Sequence, residues 1–492
     1  MQTLPVNVYS VASVREFDRT AIEDLGMPGY TLMTRAGAAA LAAGKRAFPH
    51  ARRWQVICGA GNNAGDGYVV ARLAGQEGLA VSVLSLVDPS VLSGDAATAC
   101  QDFIAEGGVL LPWAGELDGE ADLLVDGILG SGLEREVSGA FGEAVAAINA
   151  HGADVLALDI PTGIHGDTGA VLGSAVKAGL TVTFVGLKSG LLLGDAPGFC
   201  GELVFDGLGI PDAVREPAVP VMRRIRESLP AELLPRRPRA AHKGNFGHVL
   251  VIGGGRGMPG AARLCGESAL RAGAGRVSIA THPSHAAVLT ATRPELMSHA
   301  ITDVAELEEL ARRADVIAFG PGLGRSEWAG HLFEFAVADS RPAVWDADGL
   351  NWLAESPNQA DARVITPHPG EAAVLLGIAA AEVQEDRIAT VHALQERFGG
   401  VAVLKGAGTL VSAGALAPWI CTAGNPGMAT AGMGDILTGV IAAMLAQGLS
   451  AEEAAMAGVC SHAIAGDRAA RDGERGLIAS DLLVALRGVV NP

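Results

Sequence analysis

Aromatic side chains are scarce: Phe, Trp and Tyr make up 4% of the 492 residues. That excludes the stacked aromatic platforms on which single-stranded nucleic acid is bound. Basic residues are also short, 36 Lys and Arg against 54 Asp and Glu, for a formal net charge of −18. Polyanions repel such a chain, so neither nucleic acid nor an anionic membrane is expected as a partner. An anionic small ligand stays possible, because backbone N–H groups hold phosphate without Lys or Arg. Cysteine is sparse and dispersed, at 58, 100, 200, 265, 421 and 460, with the nearest two 39 positions apart. No CxxC, zinc spacing or disulfide framework can be built from that set, and a reducing, cytoplasmic setting is expected. The chain does not open on a basic start with an apolar core, so no signal peptide is expected. The longest apolar stretch near the end, 436–449, is short for a membrane span and reads as a buried helix.

What is present is a packed globular protein, 49% hydrophobic and 18% charged, with 66 glycines spread along it. The length exceeds one ordinary core, so two domains are expected. Helical periodicity runs from Ser13 to Leu25. Strand-like runs then alternate with helical ones: Trp54–Cys58, Val81–Leu86, Leu123–Val125, Val155–Leu158 and Thr181–Val185, separated by Ala-rich segments such as Gly67–Gly78 and Gly139–Asn149. Between 211 and 240, prolines and a cluster of arginines break the pattern. It restarts with strands at His248–Ile252, Arg276–Ala280, Val316–Phe319, Ala343–Asp346, Val364–Thr366 and Val401–Lys405. No short internal repeat is found. The expected fold class is α/β, with parallel sheets covered by helices on both faces.

Polar loops stand at the expected strand ends, where open parallel sheets bind ligands. The first is "CGAGNNAGDG", residues 58–67. Gly59, Gly61 and Ala64 fit a dinucleotide fingerprint, but Asn62, Asn63 and Asp66 do not belong to it. Asp126 ends the next strand, with Gly130, Ser131 and Gly132 following. Asp159 ends another, followed by Pro161, Thr162 and Gly163. Asn63, Asp126 and Thr162 offer hard oxygens that suit a monovalent or hard divalent cation, or hydrogen bonds within the loops.

The second half carries "GPGLG", Asp346 and Asp348 in "DADGLN", His368 and Glu371 in "TPHPGE", Lys405 in "LKGAGT", and "NPGMATAGMGDILTG". The last is the most specific. Gly432-Met-Gly-Asp435 opens an apolar helix, whose N–H groups suit phosphoryl oxygens. Asp435 is then placed to take a proton from a substrate hydroxyl, unless it merely caps the helix. The His368-x-x-Glu371 spacing suits a water-mediated Mg2+ site. His282 and His285 flank Pro283 and read as a surface turn.

These motifs, with "VASVREFDRTAIEDLGMPGYTLMTRAG", "VDGILGSGL", "ALDIPTGIHGDTG" and "HKGNFGHVLVIGG", resemble those of the bifunctional NAD(P)H-hydrate repair enzymes over nearly the whole chain. The resemblance implies two three-layer αβα domains. One is a Rossmann-like epimerase over 1–220 and the other a ribokinase-like, ADP-dependent dehydratase over 225–492. It implies hydrate contacts in the first domain from Asn62, Asn63, Ala64, Gly65, Asp66, Gly130, Ser131, Gly132, Leu133, Glu134, Arg135 and Glu136. Asp159 would be the acid/base group there, and Asn63, Asp126 and Thr162 would hold K+. In the second domain Ala261, Gly322, Gly324, His368 and Asp435 would contact the hydrate. Lys405, Gly406, Ala407, Gly408, Thr409 and Gly434 would bind the adenine nucleotide, with Mg2+ as cofactor. The expected substrates are NADHX, NADPHX and ADP, with ATP less favoured, and a homo-oligomer is expected. Departures fall at Thr34, often acidic in the family, at Met258, often aromatic, and at Ala64, often Gly.

Two other functions fit parts of the pattern. A hydroxymethylpyrimidine-type kinase with a dinucleotide-sensing domain would give a stable phosphorylated product. A nucleotide-sensing protein would bind the hydrate without turnover. A hydride-transferring dehydrogenase is disfavoured, since no separate hydride-acceptor site is found.

Overall fold

A computed structural model describes residues 4–491. The chain divides between Met222 and Arg223 into two compact units. The expected junction at 211–240 is not structureless, for it contains the strand Met222–Arg224 and the short helix Leu229–Leu233.

Among the described residues, the first unit holds a seven-stranded sheet. Its order is Val109–Pro112, Ala80–Ser85, Arg53–Cys58, Leu123–Gly127, Asp154–Leu158, Leu180–Phe184 and Glu202–Asp206. All neighbours are parallel. Strand side chains alternate between faces, and the core follows that alternation. Trp54, Val56, Cys58, Leu123, Val125 and Leu156 pack with the helices Gly29–Ala47, Asn62–Gln76 and Gly94–Ala105. Ile57, Leu124 and Val155 pack on the other face with Ala144, Val145 and Ile148 of the helix Gly139–Ala150. Helices thus cover both faces.

The second unit is built the same way. From His248–Ile252 the sheet runs outward on one side through Arg276–Thr281 to Met297–Ala300. On the other it runs through Val316–Phe319, Ala343–Trp345, Arg363–Ile365 and Val401–Leu404. These pairs are parallel. Thr409–Ser412 then turns back antiparallel, paired in turn with Trp419–Cys421. Val249, Val251, Val277, Ile279 and Val316 face the helices Pro259–Arg271, Met433–Ala446 and Ala451–Ala469. Opposite them, the Phe319 ring meets Phe333 of the helix Glu327–Ala338. Among the described residues no helix is long and apolar enough to cross a membrane.

Two expected elements shift in ways that matter for the site. The helix expected from Gly67 begins at Asn62, directly after the Gly59–Gly61 turn. The helix expected over Ser13–Leu25 is α-helical at Val11–Arg19, capped by Ser10, and passes into a π-turn at Thr20–Asp24. Such turns re-aim side chains and recur at functional sites.

Candidate functional sites

In the first unit, the carboxyl ends of the strands open on a cavity of about 880 Å3. Val11, Val14, Arg15, Asp18 and Ile22 line one wall. Their three- and four-residue spacing puts them on a single helix face. Asn62, Asn63 and Asp66 enter from the start of the helix Asn62–Gln76, whose first turn takes no side-chain cap. Uncapped N–H groups at a helix start suit an anion. The turn before it is possible only with glycine, because a Cβ on Gly59 would stand 2.1 Å from the Ile128 carbonyl. Gly130, Ser131, Gly132, Leu133, Glu134 and Arg135 complete the wall, and the Arg15 guanidinium lies against Gly132.

Three expected contact residues are placed elsewhere. Ala64 is buried beneath the turn, its carbonyl accepting from the Cys58 thiol. Gly65 lies against Met33. Glu136 is exposed and off the cavity wall. Thr34 also stays off it, its hydroxyl donating to the Tyr30 carbonyl within its own helix.

Asp159 sits at the cavity floor with φ +65, outside the usual range for a non-glycine residue. Such backbone strain gathers at functional sites. Lys188, 2% exposed, donates to Asp159 Oδ1 at 2.5 Å. The same ammonium also meets Thr183 Oγ1 and the Phe184 carbonyl, both at 3.2 Å. Burial raises the Asp159 carboxyl, but Lys188 outweighs it and the group is held below its usual value. Its neighbours go the other way. Burial, reinforced by Asp159, lifts Asp18 to about 6 against the pull of Lys188. Burial, with Asp159 and Asp18 adding, drives Asp66 well above the carboxylate range. Lys188 and Asp18 carried no functional assignment from sequence. A lone lysine in "GLKSG" and an aspartate in a helical face give no sign of burial.

Beside this floor, Asp126 is fully buried and accepts from Thr162 N at 2.8 Å, Thr162 Oγ1 at 2.7 Å and Ile128 N at 3.2 Å. Burial still lifts its carboxyl to about 6. Asn63 lies against Gly130, and neither its Oδ1 nor its Nδ2 has a partner in spite of burial. An orphaned buried amide oxygen near a buried carboxylate fits a bound cation, since each otherwise carries a desolvation cost.

The second unit gathers its motifs at the same end of its sheet. Asp346 Oδ1 accepts from Lys405 Nζ at 2.7 Å and its Oδ2 from Thr438 Oγ1 at 3.0 Å. Glu371 Oε2 is 3.6 Å from the same ammonium. Asp435 lies in the first turn of the helix Met433–Ala446, after Gly432 at φ +89. Burial, with Asp346, Asp348 and Glu371 adding and Lys405 opposing, pushes the Asp435 carboxyl up to about 7. Asp348 accepts from Gly324 N at 2.8 Å, which ties the "GPGLG" loop to this cluster. Ala261 and Gly322 are neighbours, with Met258 beside both Gly322 and Gly324. The loop from Gly406 to Gly408 has φ +134 and +66 at its glycines. It is held from below by buried Arg387, which donates to the Lys405 carbonyl at 3.2 Å and the Gly408 carbonyl at 3.3 Å. Thr409 closes it with a bond to the Gly406 carbonyl at 2.9 Å.

His368 and Glu371 do come together, but as a capping box. His368 Nδ1 accepts from Gly370 N and Glu371 N, and Glu371 Oε2 accepts from His368 N at 2.7 Å. The spacing that suited a metal is also the spacing of a helix cap. His282 and His285 are turn residues, with His285 Nε2 accepting from Gly257 N.

Comparison with known proteins agrees with this division. The family described as NAD(P)H-hydrate dehydratase matches residues 249–487, and that described as YjeF-related protein N-terminus matches residues 29–190. The bifunctional NAD(P)H-hydrate repair enzyme of Coxiella burnetii is 48% identical over 486 residues, covering 99% of each chain. That of Escherichia coli is 44% identical, covering 100% of this chain and 95% of the relative. A ribokinase-like superfamily protein from Enterococcus faecalis covers 55% of this chain and 95% of its own, with 29% identity and a TM-score of 0.52. The kinase alternative is not favoured, because the relatives alike over the full chain are bifunctional repair enzymes and the second unit matches the dehydratase family. With both domains matched in order and relatives alike from end to end, the chain belongs to the bifunctional NAD(P)H-hydrate repair enzymes.

Proposed function

We propose that the first unit interconverts the two epimers of hydrated NADH or NADPH at Asp159, and that the second dehydrates one epimer at Asp435 while consuming a nucleotide phosphate. The observation that carries this assignment is how each lysine is bonded: Lys188 to Asp159 in the first site, and in the second Lys405 to Asp346, beside Asp435 at the helix start. The hydrate bears a hydroxyl on the carbon beside the ring nitrogen. When that hydroxyl leaves as water, the nitrogen lone pair holds a planar cation, and water can return to either face. Lys188 Nζ is the proton donor for departure. Ionised Asp159 steadies the cation and takes a proton from the returning water, then passes it back to Lys188 along their hydrogen bond. Asn62, Asp66 and Gly130 to Arg135 line the cavity that receives the dinucleotide. Asn63, Asp126 and Thr162 would hold K+, which would supply a fixed positive charge that keeps Asp126 ionised.

In the second unit Asp435 deprotonates the hydrate hydroxyl as it attacks the terminal phosphoryl group of ADP. The Lys405–Thr409 loop and the helix start at Gly434 hold the phosphates. Phosphate then leaves the ring carbon and takes up a proton from the adjacent carbon, which restores the double bond of NAD(P)H. AMP and phosphate are the other products. Mg2+ would arrive on the nucleotide phosphates, its usual mode of binding. Six buried free cysteines fit work in the cytoplasm.

The test is to incubate the protein with mixed epimers and ADP, or ATP, and follow NADH absorbance. Both epimers should be recovered as NADH, with ADP preferred. Accumulation of a stable phosphorylated hydrate would replace this proposal with a kinase.

A further inference from the structure

Asp346 has no assigned role so far, yet no carboxylate in the second site is tied more closely. It is 2% exposed and joins three segments. Its own strand end meets Lys405, which follows the strand Val401–Leu404, and Thr438 from the helix Met433–Ala446. The pair lies flush against the first turn of that helix. A Cβ on Gly434 would stand 3.0 Å from Asp346 Oδ2 and 3.1 Å from Lys405 Nζ. The next residue along the chain is Asp435. An ammonium in this place has three carboxylates within its range, Asp346, Glu371 and Asp435, and its hydrogen bond goes to Asp346.

We propose that Asp346 is a positioning residue. By holding Lys405 and Thr438 together under the helix start, it keeps the ammonium available to phosphate and withholds it from Asp435, which is left free to take the substrate proton. This rests on the assignment of Asp435 as the base.

The groups that face Asp435 are Asp346 and Asp348, Glu371 from the helix Pro369–Leu376, Lys405, and the thiol of Cys265 from the helix Pro259–Arg271. His462, from the helix Ala451–Ala469, faces Lys405 and the backbone of Met433. Among these groups Lys405 alone carries a positive charge towards Asp435. Loss of Asp346 moves the proton affinity of Asp435 down twice, by removing a neighbouring negative charge and by releasing this ammonium, and only the second acts in a variant that keeps Asp346. The base must be ionised to act, so activity rises with pH through its titration. Without Asp346 that acid limb moves to lower pH, and the weaker base lowers the plateau.

The experiment is the pH profile of kcat/KM for dehydration at saturating ADP in the full chain. Asp346→Asn should shift the acid limb down by about one unit and lower the plateau about tenfold or more. Gly434→Ala, which favours the helix and so protects folding, prises the pair from above and should shift the limb the same way by less. In Asp346→Asn combined with Lys405→Met, the limb should return towards its original place, because the freed cation is gone. Activity that falls with an unmoved limb in both Asp346→Asn and Gly434→Ala overturns the positioning role and makes Asp346 merely structural. The underlying assignment fails separately, if Asp435→Asn still turns over.

Discussion

Both units set one lysine among carboxylates at the end of a parallel sheet, and the two lysines are bonded in opposite ways. In the first, Lys188 is bonded to Asp159, the proposed acid/base group, at 2.5 Å. In the second, Lys405 is bonded to Asp346 at 2.7 Å, and Asp435 is left with acidic neighbours. Burial pushes the carboxyls of both Asp159 and Asp435 up. The lysine decides the outcome, Asp159 held low and Asp435 raised to about 7. The difference matches the chemistry proposed for each site. Epimerisation returns every proton it takes, and a carboxylate held ionised beside an ammonium shuttles one without keeping it. Phosphoryl transfer needs a base of proton affinity near the working pH, and a free carboxyl near 7 supplies it.

The largest expected break in this comparison is Asp435→Asn. Dehydration of either epimer should fall by about a hundred- to ten-thousand-fold, while epimer exchange, followed by chromatography of the hydrates, continues. Normal NADH recovery from this variant would remove Asp435 from the reaction. Asp159→Asn should do the reverse. One epimer is then recovered at the original rate, and the other slows by about a hundredfold or more to the rate of uncatalysed exchange.

The pH profiles sharpen the contrast. A carboxyl whose pKa is held low is ionised throughout, so epimerisation should show no acid limb from Asp159 across roughly pH 5 to 8. Dehydration should climb through a limb near 7 over the same range. Lys188→Met should make the first site behave like the second. The variant loses the proton donor and so slows epimerisation, but in the rate that remains burial at Asp159 is opposed only by the Ser131 contacts, its carboxyl rises, and an acid limb enters the profile. A profile that stays flat in this variant means that Lys188 does not set the charge of Asp159.

Much of this was legible in the sequence, and what was missed has a physical pattern. Interior strands such as Leu123–Gly127 and His248–Ile252 are buried at every position, so they appear as apolar runs. Val109–Pro112, Glu202–Asp206 and Met297–Ala300 went unrecognised because they are edge strands with largely open side chains. The same logic separates the site residues. Asp126, Asp159 and Asp435 follow strands or open helices in Gly-rich loops, a placement that sequence shows directly. Lys188, Asp18 and Arg387 function through burial and through partners far along the chain, as Lys188 does with Asp159. Local pattern carries neither. His368 and Glu371 show the converse, a spacing that two kinds of chemistry share, in which the cap is the one the structure displays.

The smallest expected effect concerns the cation, and it distinguishes a built ion site from hydrogen bonding within the loops. Asn63 buries an amide with no partner at either end, beside the loop that carries the Asp126 and Thr162 contacts. Such a group costs about 1–3 kcal/mol if nothing satisfies it. A ligand that binds only the folded state returns stability by mass action. KCl should therefore raise the melting temperature of the first unit by about 2–4 °C per kcal/mol recovered, where choline chloride of equal ionic strength does not. In Asn63→Ala the orphaned atoms are gone and so is a ligand. That variant should match or exceed the parent in choline chloride and fall below it in KCl. The crossing of those two orders is the signature, because a change in packing alone would move both melts the same way. If Asn63→Ala keeps the full potassium response, the ion is held elsewhere, and Asp126 and Thr162 serve only each other.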